Sequence, residues 1–388
     1  MIFSIIVLLT ISNLVGSNKL DPNGYITYCP CMGRFGNQME QFLEALSFAK
    51  HVGRTLIVPP LVEYGSGREP VVMVDYDTYF QIKSLEEFHR VITMRDFMEN
   101  LADTVWPKEK RFAFCWNSRK SIFDESAPAG CHAKDGTPFG PFWDNFNIDF
   151  VKDVYFGDII GENHFSSYNA IRKWKLKFPV KNFPVLAFIT APGDFPINPG
   201  NKYVQKFIRW SSKIVTQAKK FIEQNLPRPF VGIHLRNNVD WIRVCEHITP
   251  SMSRPLFSSE QCTGPYNAYG ELTSDVCFPS KETILKDIEK VVKENNIKSL
   301  FVSSDKDHMI EEINNHLKVF NVKAYKLEDN NPHVSLAILQ ASNHFIGNCV
   351  STFTAFVTRA REFSQAKASR PTTFFGFKPR TKKRKIEL

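Results

Sequence analysis

A chain of 388 residues is long enough to bury an ample core and to form two domains. Its 43% hydrophobic and 23% charged residues are those of a globular protein, and past the N-terminus no segment is long and apolar enough to be a transmembrane helix. The formal charge of +9 is uneven: Lys378, Arg380, Lys382, Lys383, Arg384 and Lys385 crowd residues 378–388 against Glu387 alone.

In chain order, Ile2–Val15 is an apolar run too short to span a membrane, and Val15-Gly16-Ser17 offers small residues for cleavage. Residues 1–17 therefore read as a secretory signal. Tyr25–Cys29 reads as a strand, Pro30–Asn37 as a loop, Met39–His51 as a helix and Thr55–Pro59 as a second strand, a βαβ opening. Val71–Val74 is a further apolar run. Between Leu85 and Asn169 the aromatic and Gly/Pro-rich pieces, such as Thr137–Trp143, carry no legible period. Val185–Thr190 is a strand followed by the Pro/Gly-rich Ala191–Gly200. A domain division between 170 and 200 follows, drawn at 180/181, with residues 18–180 before it and 181–360 after it.

The second half alternates more clearly. A helix over Val204–Asn225 leads to the strand that carries His234, and Trp241–Ser280 reads as a cysteine-bearing insertion. Helices over Glu282–Glu294, Met309–Phe320 and His333–Ala341 then alternate with strands at Leu300–Ser303, Val322–Tyr325 and Phe345–Gly347, and a last helix runs to Glu362. That rhythm predicts an α/β fold with a doubly wound parallel sheet.

The candidate chemistry clusters at three strand-to-helix loops. Phe230, Val231, Ile233 and Leu235 form a buried-strand pattern whose carboxyl end delivers His234 and Arg236, where open α/β sheets bind ligands. A guanidinium there matches phosphate oxygens; an arginine paired with a core carboxylate is the alternative. In Gly33-Arg34-Phe35-Gly36-Asn37-Gln38, two glycines allow close backbone approach at a helix start that presents free N–H groups to an anion; a plain tight turn is the alternative. The motif is neither G-x-G-x-x-G nor a Walker sequence. Ser351-Thr352-Phe353-Thr354 opens another helix after a strand, its hydroxyls suited to an N-cap or to a pyrophosphate, and Phe353 to a base, a sugar or the core.

Two D-x-D triplets, Asp75-Tyr76-Asp77 and Asp305-Lys306-Asp307, are of the kind that holds a divalent metal in one class of nucleotide-sugar transferases. Asp305 also stands where it can accept a hydrogen bond from a base or ribose. A G-x-S-x-G elbow is absent. Eight cysteines fit an oxidising compartment, and Cys29-Pro30-Cys31 lacks C-x-x-C spacing, which favours structural disulfides over metal. The basic tail taken alone suggests a nuclear or nucleic-acid patch, but it ends in Lys385-Ile386-Glu387-Leu388, one residue from the K-D-E-L retrieval signal. With a signal at the other end, the expected address is the lumen of the endoplasmic reticulum, as a soluble protein with no nucleic-acid partner.

Three stretches together resemble the peptide O-fucosyltransferase family: Tyr28-Cys29-Pro30-Cys31-Met32-Gly33-Arg34-Phe35-Gly36-Asn37-Gln38, Gly232-Ile233-His234-Leu235-Arg236, and His344 through Phe356, with support from Gly140-Pro141-Phe142-Trp143-Asp144. The similarity runs from about Gly24 to Phe377. It implies a GT-B enzyme with two Rossmann-like domains facing across a cleft, the acceptor on the first and GDP-fucose on the second, with part of 360–380 crossing back. It implies inverting transfer of fucose from GDP-fucose to Ser or Thr hydroxyls of folded EGF-like repeats, of the Notch type, without a metal or other cofactor.

By motif, Arg236 and His234 would grip the phosphates, with Leu235 beside them. Ser351, Thr352 and Phe353 would line the nucleotide-sugar site. Arg34, Phe35, Gly36 and Asn37 would form the other wall, Asn37 near the acceptor hydroxyl. Arg236 and Asn37 are the expected catalytic pair. The family's acidic contact to the base falls on Asp305 or Asp329, since the position aligned first, Ser335, is not acidic. Chain order and the resemblance suggest the disulfides Cys29–Cys31, Cys115–Cys131, Cys245–Cys277 and Cys262–Cys349. A lumenal chaperone for EGF-repeat clients and a metal-dependent GT-A transferase are the competing functions.

Overall fold

The strands of the first half are β1 (Tyr25–Tyr28), β2 (Thr55–Val58), β3 (Leu61–Glu63), β4 (Val72–Val74), β5 (Val91–Thr93), β6 (Phe112–Cys115), β7 (Lys152–Tyr155) and β8 (Val185–Phe188). Apart from the antiparallel pair β3 and β4, they form one parallel sheet in the order β5-β2-β1-β8-β6-β7. The second half contributes β9 (Phe230–Leu235), β10 (Ser299–Ser304), β11 (Lys323–Tyr325), β12 (His344–Gly347) and β13 (Thr372–Phe374), all parallel, in the order β11-β10-β9-β12-β13. The computed structural model describes residues 20–65, 70–160, 165, 167–246, 248–249, 255–364 and 370–380. The expected signal at 1–17, the tail residues Lys382, Lys383 and Arg384, and the terminal Lys385–Leu388 lie outside the described residues. Among the described residues no helix is long and apolar enough to cross a membrane.

Strand order decides where a ligand can enter. Counted along the chain, the second sheet reads 3-2-1-4-5, so its direction reverses between β9 and β12. In the first sheet the reversal lies between β1 and β8. The crevice of a doubly wound sheet opens at the carboxyl ends of the strands at that reversal. The loops placed there are Cys29–Arg34 after β1, Arg236–Asn238 after β9 and Asn348–Ser351 after β12. Every residue of β9 and β10 is buried, as a sheet covered on both faces requires.

Three expectations need correction. The division at 180/181 cuts the first sheet, because β8 lies between β1 and β6 at its centre and pairs with both. The division of the chain therefore falls after Phe188. Residues 372–374 do not cross back to the first half: β13 extends the second sheet on the open edge of β12. The helix expected over Val204–Asn225 is broken into 3₁₀ turns over Pro199–Phe207 and a helix over Ser212–Asn225. Tertiary partners claim the backbone between them. The Arg209 carbonyl accepts from Gln81 N–H, Ser211 N–H donates to Tyr79 O, and Trp210 stacks on Phe80 with centroids 4.7 Å apart.

The helix Phe35–Val52 starts four residues earlier than its apolar period suggests. It stops at Gly53, whose left-handed backbone (φ 82°) lets its N–H reach Ala49 O and Lys50 O. This helix packs along the helix Thr352–Glu362 of the second half. Between them a fully buried Glu40 meets a buried Arg359 at 2.6 Å. Glu40 Oε2 also accepts from Ile197 N–H at 3.1 Å, and Arg359 Nε donates to Gln205 Oε1 at 3.3 Å. The halves are thus joined by one desolvated ion pair set between the two helices that carry the site motifs.

Candidate active site

His234 and Arg236 leave the carboxyl end of β9 as the sequence pattern requires, and they differ in environment. His234 is 3% exposed; its Nδ1 lies 2.7 Å from Thr354 Oγ1, and its ring lies 4.6 Å from that of Phe353. Burial, with the Arg236 charge beside it, pushes the imidazole down to about 3, so it is neutral near neutral pH. The Arg236 side chain is 20% exposed and is not locked in the interior. Its guanidinium lies over the Trp241 ring at 4.6 Å, donates to Asp240 Oδ2 at 2.7 Å, and contacts Asp305 Oδ2. The Arg236 guanidinium holds the Asp240 carboxyl below its ordinary value. Arg236 therefore pairs with two carboxylates, neither of them in the core, at the carboxyl end of β9.

Asp305 does not stand free for a base. Its Oδ2 faces Arg236 and its Oδ1 accepts from Asn237 N–H at 2.9 Å, which fixes the loop after β9. Asp329 is exposed and its Oδ1 accepts from Asn331 N–H, while Ser335 is buried in the helix Pro332–Ala341. Leu235 is buried in the core beneath the sheet, which leaves only its backbone for a ligand. Ser351 is a helix cap: its Oγ accepts from Phe353 N–H at 3.2 Å and Thr354 N–H at 3.5 Å.

The remaining site residues meet across the joint between the halves. Thr352 Oγ1 donates to Asn37 Oδ1 at 2.9 Å. Gly36 lies so close to the opposite helix start that a Cβ there would come within 2.4 Å of Thr352 Oγ1 and 2.7 Å of Phe353 N. Here the glycine is demanded by close approach rather than by backbone angles. Phe35 and Phe353 meet edge to face with centroids 6.4 Å apart. Arg34 is exposed, caps nothing with its side chain, and forms no ion pair among the described residues. Arg34–Asn37, His234–Arg236 and Ser351–Phe353 thus form one assembly.

Several residues at this place carried no sequence signal of their own. Asn348 donates through Nδ2 to Cys277 O at 2.7 Å and accepts at Oδ1 from Val350 and Ser351 N–H, shaping the loop after β12. Gln261 Nε2 donates to Cys349 O at 2.7 Å, so the 241–280 insertion braces the same loop. The bonds Cys245–Cys277 and Cys262–Cys349 tie that insertion down, and Cys29–Cys31 and Cys115–Cys131 are formed in the first half. His333 stacks on Tyr79 at 3.6 Å, meets Phe35 edge-on and lies 3.1 Å from Glu63 Oε1, a further contact between the halves.

Neither D-x-D triplet is open. Asp75 and Asp77 both grip Arg95. Asp307 turns back on Met309 N–H, and Asp305 is taken by Arg236. Among the described residues no cluster of three His, Cys, Asp or Glu side chains could hold a metal ion.

Two parallel Rossmann-like sheets that meet through their reversal-point loops define a GT-B glycosyltransferase, which overturns the GT-A alternative. The sequence model described as GDP-fucose protein O-fucosyltransferase matches residues 25–364. The chain is 49% identical over 373 residues to GDP-fucose protein O-fucosyltransferase 1 of Caenorhabditis elegans, covering 96% of this chain and 94% of the relative. The crystal structure of POFUT1 in complex with GDP-fucose is 48% identical and superposes with a TM-score of 0.88 over 92% of this chain and 99% of that one. The apo form of POFUT1 gives a TM-score of 0.87 at 48% identity, over 93% of this chain and 100% of that one. This chain belongs to the GDP-fucose protein O-fucosyltransferase family.

Proposed function

We propose that the chain moves fucose from GDP-fucose to a Ser or Thr hydroxyl of a folded EGF-like repeat, with inversion at the anomeric carbon, in the lumen of the endoplasmic reticulum. The observation that carries the reading is the convergence of Arg236, His234 and the Thr352–Glu362 helix start at the reversal point of the second sheet, with Asn37 reaching in from the first.

As the bond from anomeric carbon to phosphate breaks, negative charge collects on the departing diphosphate and positive charge on the sugar ring. Arg236 stabilises the first of these, and the positive end of the Thr352–Glu362 helix dipole adds to it. Asp240 and Asp305 hold that guanidinium in place before the donor arrives, so little reorganisation is needed at the moment of reaction. A fixed cation in this position does the work that a metal does elsewhere, and the Arg95 guanidinium already occupies the Asp75–Asp77 pair. Attack by the acceptor hydroxyl on the face opposite the diphosphate gives inversion. To Asn37, whose Oδ1 accepts from Thr352 Oγ1, we assign the orientation of that hydroxyl. A loosely bonded, oxocarbenium-like transition state makes the hydroxyl proton acidic only late, when the departing diphosphate or water can take it, so no strong general base is required.

The test uses labelled GDP-fucose with a folded EGF-like repeat, the same repeat reduced, and a repeat lacking its hydroxyl, each with and without EDTA. Transfer to the folded repeat alone, undiminished by EDTA, is the expected result. Transfer to the reduced repeat would remove the shape requirement, and loss of activity in EDTA would remove the metal-free mechanism.

A further inference from the structure

We propose that Thr354 is a positioning residue that places the ring proton of His234 on Nε2, so that the imidazole offers one fixed N–H donor to a nucleoside diphosphate at the end of β9. The donor role rests on the transferase reading above; the placement of the proton does not.

The donors and acceptors around Thr354 fix the tautomer. A threonine hydroxyl has one proton and two lone pairs. Thr354 is fully buried, and its Oγ1 accepts from Asn348 N–H at 3.1 Å. The hydroxyl proton then has one acceptor among the described residues, His234 Nδ1 at 2.7 Å. With Nδ1 accepting, a neutral ring carries its proton on Nε2. The opposite arrangement, Nδ1–H donating to Oγ1, would leave the hydroxyl proton buried with nothing to meet, a state folded proteins avoid. Burial at this site keeps the ring from taking a second proton near neutral pH.

The surroundings are built to hold this chain of hydrogen bonds. Gly347 makes room for Thr354: a Cβ there would lie 2.4 Å from Thr354 Cγ2 and 3.0 Å from Oγ1. Asn348, the donor at the far end, is fixed by the Cys277 carbonyl and by two backbone N–H groups. The Phe353 ring limits rotation of the imidazole. Nε2 has no partner among the described residues, and His234 lines a small crevice together with Arg236, Asn237 and Asn348. Thr354 touches neither the crevice nor the diphosphate; it acts through His234.

The experiment is ¹⁵N NMR of the histidine-labelled protein without ligand, followed by calorimetric titration with GDP. Wild type is expected to show an acceptor-type Nδ1 and a protonated Nε2. T354S should keep that pattern and most of the GDP affinity. T354V should lose it, with GDP binding weakened about 10-fold, as for one misplaced donor. A wild-type spectrum with the proton on Nδ1 overturns the proposal, and this holds even if T354V fails to fold. T354V with an unchanged spectrum and unchanged affinity overturns it as well. If wild type binds no GDP, the transferase reading and the donor role fall together, while the ligand-free spectrum still decides where the proton sits.

Discussion

The two helix starts that meet at the joint are built in opposite ways. At Thr352–Glu362 the first turn is closed: Ser351 caps it, Thr354 is spoken for, and the nearby Arg236 is braced by two carboxylates and an indole ring. At Phe35–Val52 no side chain caps the first turn, no acidic residue sits in it, and Arg34 stands exposed. Free backbone donors at a helix start are a site for an anion or a polar ligand. The second-half wall is therefore fixed by its own side chains, whereas the first-half helix start is left without a side-chain cap.

The comparison can be broken most severely at the ion pair that holds the two helices together. Arg359→Met leaves Glu40 buried and unpaired, and should cost about 3–5 kcal/mol in denaturant unfolding; the double variant with Glu40→Leu should recover much of that. Glu44, on the open-walled helix, gives the next largest effect. Its carboxylate accepts from Asn201 Nδ2 and Asn198 N–H, but burial raises it to about 7 from an ordinary 4.5. The folded state favours the protonated acid, so this group's contribution is present below about pH 4.5 and is lost as pH rises through about 7. Up to about 3 kcal/mol is at stake. The stability difference between wild type and Glu44→Gln should shift in favour of the variant over that window.

Gly36→Ala drives a methyl group into Thr352 and parts the two walls. Overpacking of this kind costs about 1–3 kcal/mol, and the Asn37–Thr352 hydrogen bond should be lost, with slower transfer. The smallest effect sharpens the contrast between the helix starts. Ser351→Ala should cost about 1 kcal/mol as a lost cap, whereas Arg34→Ala, exposed and without an ion-pair partner, should stay within about 0.5 kcal/mol in the same melt.

The sequence carried the second sheet almost whole, because β9, β10 and β12 are short buried runs that alternate with amphipathic helices. It carried the site motifs for the same reason: each lies where an apolar strand stops and a helix begins. Residues 85–169 stayed illegible because β5, β6 and β7 are short and their aromatic neighbours arrive from far along the chain, as Phe114 shows in packing on Phe178, Phe183 and Phe188. The misplaced division at 180/181 has a similar origin. Nothing local in Val185–Phe188 says that it inserts beside β1 rather than opening a new sheet. The strand-end position of Asp305 is legible in the sequence, whereas its pairing with Arg236 is not. The Glu40–Arg359 pair joins residues more than three hundred positions apart, and only the fold brings them together.

The central claim is that Arg236, braced at the end of β9, stabilises the departing diphosphate. Single-turnover transfer by Arg236→Ala, with GDP binding and thermal unfolding followed in parallel, tests it most directly. Arg236→Ala should lose about 10²–10³ in rate with the fold intact and GDP still bound. Transfer at the wild-type rate by a folded Arg236→Ala protein would contradict it.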